Sequence, residues 1–146
     1  MANESICVFC GEKPGMFRSE NILVGNTSQL CCKTCAKEVA GLSEVELCQK
    51  ALRLGHAQNP ERLQARIELI TQAEAARPKC LRCNTPMKFN SVVHLDASPL
   101  RDTLFSETFD LLPCLCPNCG RFEFFTPAVL GDNPTIAYLH RKDVTG

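Results

Sequence analysis

The apolar positions change period along the chain, and each change marks an element. From Val45, the residues Val45, Cys48, Ala51 and Leu52 recur at helical spacing up to Gly55. Ser43 and Glu46 stand before them as an S-x-x-E capping box. Asn59-Pro60 restarts the pattern, with Asn as the N-cap and Pro in the first helical position. Leu63, Ile67, Ile70 and Ala73 follow at steps of four and three, and Arg77-Pro78 stops the helix. Further on the period falls to two. Met87, Phe89, Val93 and Leu95 alternate with Lys88, Asn90 and His94, which predicts a half-buried strand. Beyond a turn at ASPLRD, Phe105, Phe109 and Leu111 alternate with Ser106, Thr108 and Asp110 as a return strand. RFEFFT gives a third strand. The last stretch, DNPTIAYLHRKDVTG, is expected to be a turn, a short strand and a frayed end.

Before Ser43 the pattern is less regular. Pro14-Gly15 and Gly25-Asn26 are turn signals, and a short hairpin fits around them. KTCAKEVA is made mostly of helix formers and ends at Gly41, a C-terminal cap. The chain therefore divides into three segments, 1–42, 43–77 and 78–146. The middle one is a two-helix connection, open as a rigid spacer, a cover for the flanking modules or a dimer seam.

Composition changes this picture at one residue type. Eleven of 146 residues are cysteine. Such a content belongs either to secreted disulfide proteins or to intracellular metal-binding ones. The number is odd, and eight of the eleven fall into four C-x-x-C pairs. MANESICVFC has no basic segment followed by an apolar one, so a signal peptide is not expected. No stretch approaches the roughly 20 apolar residues that span a bilayer. A reducing cytoplasm and bound metal are the expectation.

Charge excludes more than it suggests. The three segments hold four, five and seven basic residues, matched by four, five and seven acidic ones. There is no basic run to neutralise phosphates. Nor is there a nucleophile–base constellation, a phosphate loop or a carboxylate dyad, so no enzyme is expected. His56, His94 and His140 are scattered and read as surface or strand residues.

Two C-x-x-C turns brought face to face offer four thiolates at tetrahedral positions. Cys7, Cys10, Cys32 and Cys35 form one set, and Cys80, Cys83, Cys116 and Cys119 the other. In CCKTC the x2 spacing selects Cys32 over Cys31. In CLCPNC it selects Cys116 over Cys114. Cys31, Cys48 and Cys114 are left over and read as small buried hydrophobes. Glycine after a knuckle, at Gly11 and Gly120, relieves the backbone. Four thiolates leave no open coordination position, so both zinc sites (two Zn2+ per chain) are expected to be structural. Each carries a net −2. Lys33, Lys37 and the N-terminus of the helix after Cys32 offset part of it at the first site.

The stretch CVFCGEKPGMF…LCCKTCAKEVAGLS resembles small treble-clef zinc domains of uncharacterised bacterial proteins. It is distantly similar to the N-terminal zinc domain of the Clp chaperone ATPase, a dimerising docking module. Cys80 to Phe125, with CPNCG followed by FEFF, is similar to a zinc ribbon. The 32 residues between Cys83 and Cys116 then correspond to a long hairpin. The fold class these resemblances imply is a small zinc-stabilised α+β protein: a treble-clef-like module, a helical middle segment and a three-stranded antiparallel zinc ribbon. The expected role is a non-enzymatic module that binds another protein or itself, with Val8, Phe9, Leu81 and Leu115 exposed near the knuckles. Phe122, Phe124 and Phe125 are expected to pack the ribbon's own core, a contact surface being the alternative. The alternative role is nucleic-acid binding, with Arg82, Lys88, Arg101, Arg121, Arg141 and Lys142 on one face and Phe rings stacking on bases. A third is thiol redox sensing through the surplus cysteines.

Overall fold

Gly25 and Asn26 adopt φ values of 60° and 65°. Two successive left-handed residues form the tight turn whose twist suits an antiparallel pair. They join Ser19–Val24 (β1) to Thr27–Cys32 (β2), in register from Val24 opposite Thr27 to Ser19 opposite Cys32. A computed structural model describes residues 6–15, 18–96 and 108–145 of the chain. The chain falls into two units, Met1–Ile70 and Thr71–Gly146.

In the first unit the hairpin leads into Lys33–Val39 (α1), Glu44–Leu54 (α2) and Pro60–Ala75 (α3), the last running across the division after Ile70. The capping box forms in both directions: the Ser43 amide donates to Glu46 Oε2 at 2.8 Å, and the Glu46 amide donates to Ser43 Oγ at 3.4 Å. Gly55, at φ 76°, closes α2 through its N–H to the carbonyls of Ala51 and Leu52. Asn59 Oδ1 accepts from the Arg62 amide and caps α3. Cys48 and Ala51 of α2 and Leu63 of α3 share one buried cluster with Cys7, Val24 and Cys31. Of the roles the sequence leaves open for 43–77, α2 and the start of α3 fill that of a cover, completing the core of the first cysteine module. Val8 and Phe9, expected at the surface, are 2% and 3% exposed. The amide of Val8 donates to the carbonyl of Leu30, which ties the first knuckle to β2 and turns its apolar side chains inward.

The second unit holds Lys88–Phe89 (β3), Val93–Asp96 (β4), Thr108–Leu115 (β5) and Phe122–Phe125 (β6), then Val129–Asp132 (α4) and Pro134–Thr145 (α5). All sheet pairings are antiparallel to β5, with β3 and β4 along it and β6 also paired to it. The register slips between β3 and β4. Phe89 is opposite Cys114 but Val93 is opposite Leu111, so three residues face two across a bulge. That break explains why the alternation does not stay half-buried. Met87 and Phe89 are buried, while Val93 and Leu95 are exposed. The ASPLRD turn, Phe105, Ser106 and Arg101 lie outside the described residues.

The C-terminal stretch is a twelve-residue helix, not the expected turn, strand and frayed end. Asn133 Oδ1 accepts from the amides of Thr135 and Ile136, and Pro134 fills the first helical position. Tyr138 and Leu139 are buried. Asp143 near the far end accepts from the Phe89 amide at 2.9 Å and from Arg77 Nη1 at 2.6 Å. These long-range bonds hold the helix in place.

On β5, Leu112 and Cys114 point into the core. The other set, Phe109, Leu111, Pro113 and Leu115, shares its face with the residues directly opposite: Leu95, Val93, Phe124 and Phe122. Among these, Phe109, Leu95, Phe124, Phe122 and Val93 are exposed. Phe122 and Phe124 stack on one another, ring centroids 6.2 Å apart and nearly parallel. They do not pack the ribbon's own core as expected. Phe125, on the other side, lies 5.7 Å from the Phe89 ring.

Candidate metal centres

Three of the four C-x-x-C turns share one backbone design. The amide of the first cysteine donates to the carbonyl five residues on: Cys7 to Glu12, Cys80 to Thr85, Cys116 to Arg121. The first cysteine's carbonyl in turn accepts from the residue four ahead: Gly11, Asn84 and Gly120. All three of these residues are left-handed, at φ 71°, 55° and 71°. Glycine does this freely, and asparagine is among the few other residues that tolerate it. The glycine signal in the sequence therefore found two of the three knuckles, and Asn84 performs the same task unannounced. At Gly11 an added Cβ would also meet the His56 ring at 2.6 Å.

The fourth turn is different. Cys32 is the N-cap of α1, and its Sγ accepts from the Cys35 amide at 3.4 Å. The Cys32 amide donates to Cys7 Sγ at 3.4 Å. The Cys32 amide is one of the donors that favour the Cys7 thiolate. Lys33 and Lys37 are exposed on α1.

These turns bring the eight cysteines into two groups: Cys7, Cys10, Cys32 and Cys35 in the first unit, and Cys80, Cys83, Cys116 and Cys119 in the second. Within each group all four Sγ atoms lie within 4.8 Å of one another. Tetrahedral coordination with Zn–S near 2.3 Å requires sulfur–sulfur edges of about 3.8 Å. The Cys10–Cys32, Cys83–Cys119, Cys80–Cys119 and Cys83–Cys116 separations are 3.9, 3.8, 3.5 and 3.4 Å. They are far too long for disulfides. Each group can hold a metal ion, and the dimensions and all-sulfur donor set are compatible with zinc.

The thiols within each group are unequal. Burial pushes Cys7 up, but the backbone N–H groups of Cys10, Cys32 and Phe9 outweigh it and hold the group at about 6. Cys83 also sits at about 6, lowered by the Thr85 hydroxyl, 3.2 Å away, and by the Thr85 amide. Burial, and then the sulfurs of Cys32 and Cys10, push Cys35 up. Once one thiolate forms, its neighbours resist ionisation. A cation at the centre removes that conflict. Thr85 was not legible as a site residue in the sequence. Its position two residues after a knuckle is the signal that marks it.

The three remaining cysteines join neither group. Cys31, Cys48 and Cys114 are all fully buried. Cys31 donates its S–H to the Cys32 carbonyl, and burial drives its thiol up to about 12. Burial likewise takes Cys114 to about 11 and raises Cys48. Burial thus disfavours the thiolate, the reactive form of cysteine, at all three positions.

Of the histidines, His94 pairs with Asp110 at 2.5 Å across β4 and β5 on the exposed surface, and none belongs to a cysteine group. Leu81, in the third knuckle, is 81% exposed, and Leu115 is half-buried. Among the described residues no helix is long and apolar enough to cross a membrane. Compared with known proteins, the chain matches no family model, no curated protein and no solved structure. What stands is a small α+β protein with two four-cysteine centres, one in each unit.

Proposed function

We propose that this is a non-enzymatic, cytoplasmic zinc protein in which two structural Zn2+ ions hold a treble-clef-like unit and a ribbon-like unit, the latter serving as a protein-docking module. The first reading rests on a knuckle, a hairpin and a second cysteine pair at a helix start. The second rests on two knuckles flanking antiparallel strands. The observation that carries the docking role is the apolar face of β5. Its exposed members, Phe109, Phe122, Phe124, Val93 and Leu95, lie together on one side of the sheet. Contiguous exposed apolar surface of this kind marks an interaction site. The two zinc-ligand turns come together at one end of the hairpin that displays it, before β3 and after β5.

One observation favours a second reading. The stacked pair Phe122 and Phe124 lies near exposed Arg121 and Lys88, an arrangement on which bases of single-stranded nucleic acid stack. The face is nevertheless rich in aliphatic residues and carries little charge, which suits a protein better.

A photo-reactive phenylalanine analogue at position 124, with a control at His94 on the opposite face, separates the two in cells. Protein adducts from position 124 and none from position 94 are the expected result. Adducts removed by nuclease would transfer the assignment to nucleic acid. No adduct from position 124, or the same adducts from both positions, would overturn the docking role.

A further inference from the structure

We infer that the partner seated on the apolar face of β5 is a second copy of this chain, packed sheet on sheet with the two β5 strands running antiparallel; this rests on the docking role proposed above.

Area supports it first. Phe109, Phe122, Phe124, Leu95 and Val93 are between 38% and 57% exposed, which at about 200 Å² per phenylalanine and on the order of 100 Å² per aliphatic side chain leaves about 400 Å² of apolar surface on one copy. Interfaces are roughly 60% apolar, so two such faces imply about 1,300 Å² buried in total. That lies inside the 1,200–2,000 Å² range of stable complexes. Two copies of this one face therefore suffice, with no further surface required.

The distribution of side chains supports it next. A two-fold interface must be complementary to itself. Here β5 runs down the middle of the face. One end carries Leu95 and Phe109, and the other carries Phe122 and Phe124, so either end offers an aromatic and a partner for it. Among the described residues, the face has a single charged residue in register, Lys88, opposite Leu115 at the aromatic end. Antiparallel packing sends the two Lys88 side chains to opposite ends, separated by about the 24 Å length of an eight-residue strand. Parallel packing would set like charges side by side. The hydrogen-bonded pair His94–Asp110 lies on the other side of the sheet and stays in water.

Sedimentation equilibrium of the full zinc-loaded chain tests this. The expected result is a concentration-dependent shift from the mass of one chain to the mass of two. Phe124→Asp and Phe109→Asp, at opposite ends of the face, should each weaken association at least tenfold while both zinc ions are retained. Leu95→Lys provides a further variant should either aspartate variant lose metal. A single-chain mass at every concentration, or variants that associate as strongly as the parent, would overturn the inference. A monomer that still cross-links other proteins from position 124 would leave the docking role standing and eliminate self-association alone.

Discussion

Arg77→Met strikes a buried ion cluster that ties the second unit together. The guanidinium side chain is 10% exposed and the Asp143 side chain 7%. Arg77 Nη1 donates to Asp143 Oδ2 at 2.6 Å and to the Met87 carbonyl at 3.0 Å, while Nε donates to Glu74 at 2.9 Å. Methionine fills much of the same volume but removes the cation. Among the described residues, Asp143 is then a buried carboxylate with the Phe89 amide alone for support. Breaking a buried pair from one side costs about 3–5 kcal/mol, a large share of a small domain's total. At a denaturant sensitivity of about 2 kcal/mol per molar, the urea midpoint should fall by roughly 2 M. The chain's single tyrosine, Tyr138, is buried in α5, so its fluorescence reports on this unit. The companion variant Arg77→Met/Asp143→Asn removes the stranded charge and keeps an acceptor for the Phe89 amide. It should recover about 2 kcal/mol of the loss. A loss below about 1 kcal/mol for the single variant, or a double variant no more stable than the single, would refute the reasoning.

Glu74 gives the cluster a pH signature. Its carboxyl is held at about 2, below the ordinary 4.5, by the hydrogen bond from Arg77 and then by Lys142. A lowered carboxyl contributes stability above the unfolded value and loses it as pH falls from about 4.5 toward 2. The side chain is 37% exposed, so solvent screening reduces the contribution to about 1–2 kcal/mol. The stability difference between the parent and Glu74→Gln, read from urea unfolding at pH 6, should shrink below pH 4.5, and a constant difference would contradict it. Gly25→Ala should destabilise the first unit by about 3 kcal/mol, because a left-handed turn would gain a Cβ 2.5 Å from Leu63 Cδ2. Thermal unfolding followed by far-UV circular dichroism measures this. Cys31→Ser and Cys114→Ser should each retain two zinc ions by elemental analysis and lose about 1–3 kcal/mol from a hydroxyl placed in an apolar site. Loss of a metal in either would make that cysteine a ligand.

Local chemistry made much of this fold legible. The Ser43–Glu46 box, the Asn59-Pro60 start and the Gly25-Asn26 turn act within a few residues, and each formed where the sequence had it. The x2 spacing likewise selects the same eight cysteines that the structure gathers into its two groups. Asn133-Pro134 carries the same helix-start signal as Asn59-Pro60. The helix behind it is hard to read from period, because its buried face is narrow, Tyr138 and Leu139, and it is anchored by distant bonds from Phe89 and Arg77 to Asp143. Strand alternation met a different obstacle. Both faces of the C-terminal half of β5 are apolar, with Leu112 and Cys114 on one side and Leu111, Pro113 and Leu115 on the other. Period alone cannot tell which set is covered, and the bulge between β3 and β4 breaks the alternation that might have decided it.

Native mass spectrometry of chelator-free protein, on the parent, Cys10→Ser and Cys119→Ser, tests the central claim of two separate four-cysteine zinc centres. The account predicts two zinc ions on the parent and one on each variant, with the variant's own unit unfolded and the other intact, since structural zinc supplies about 10 kcal/mol or more of apparent binding free energy. A parent with fewer than two zinc ions, or a Cys10→Ser chain that still carries both, would contradict it.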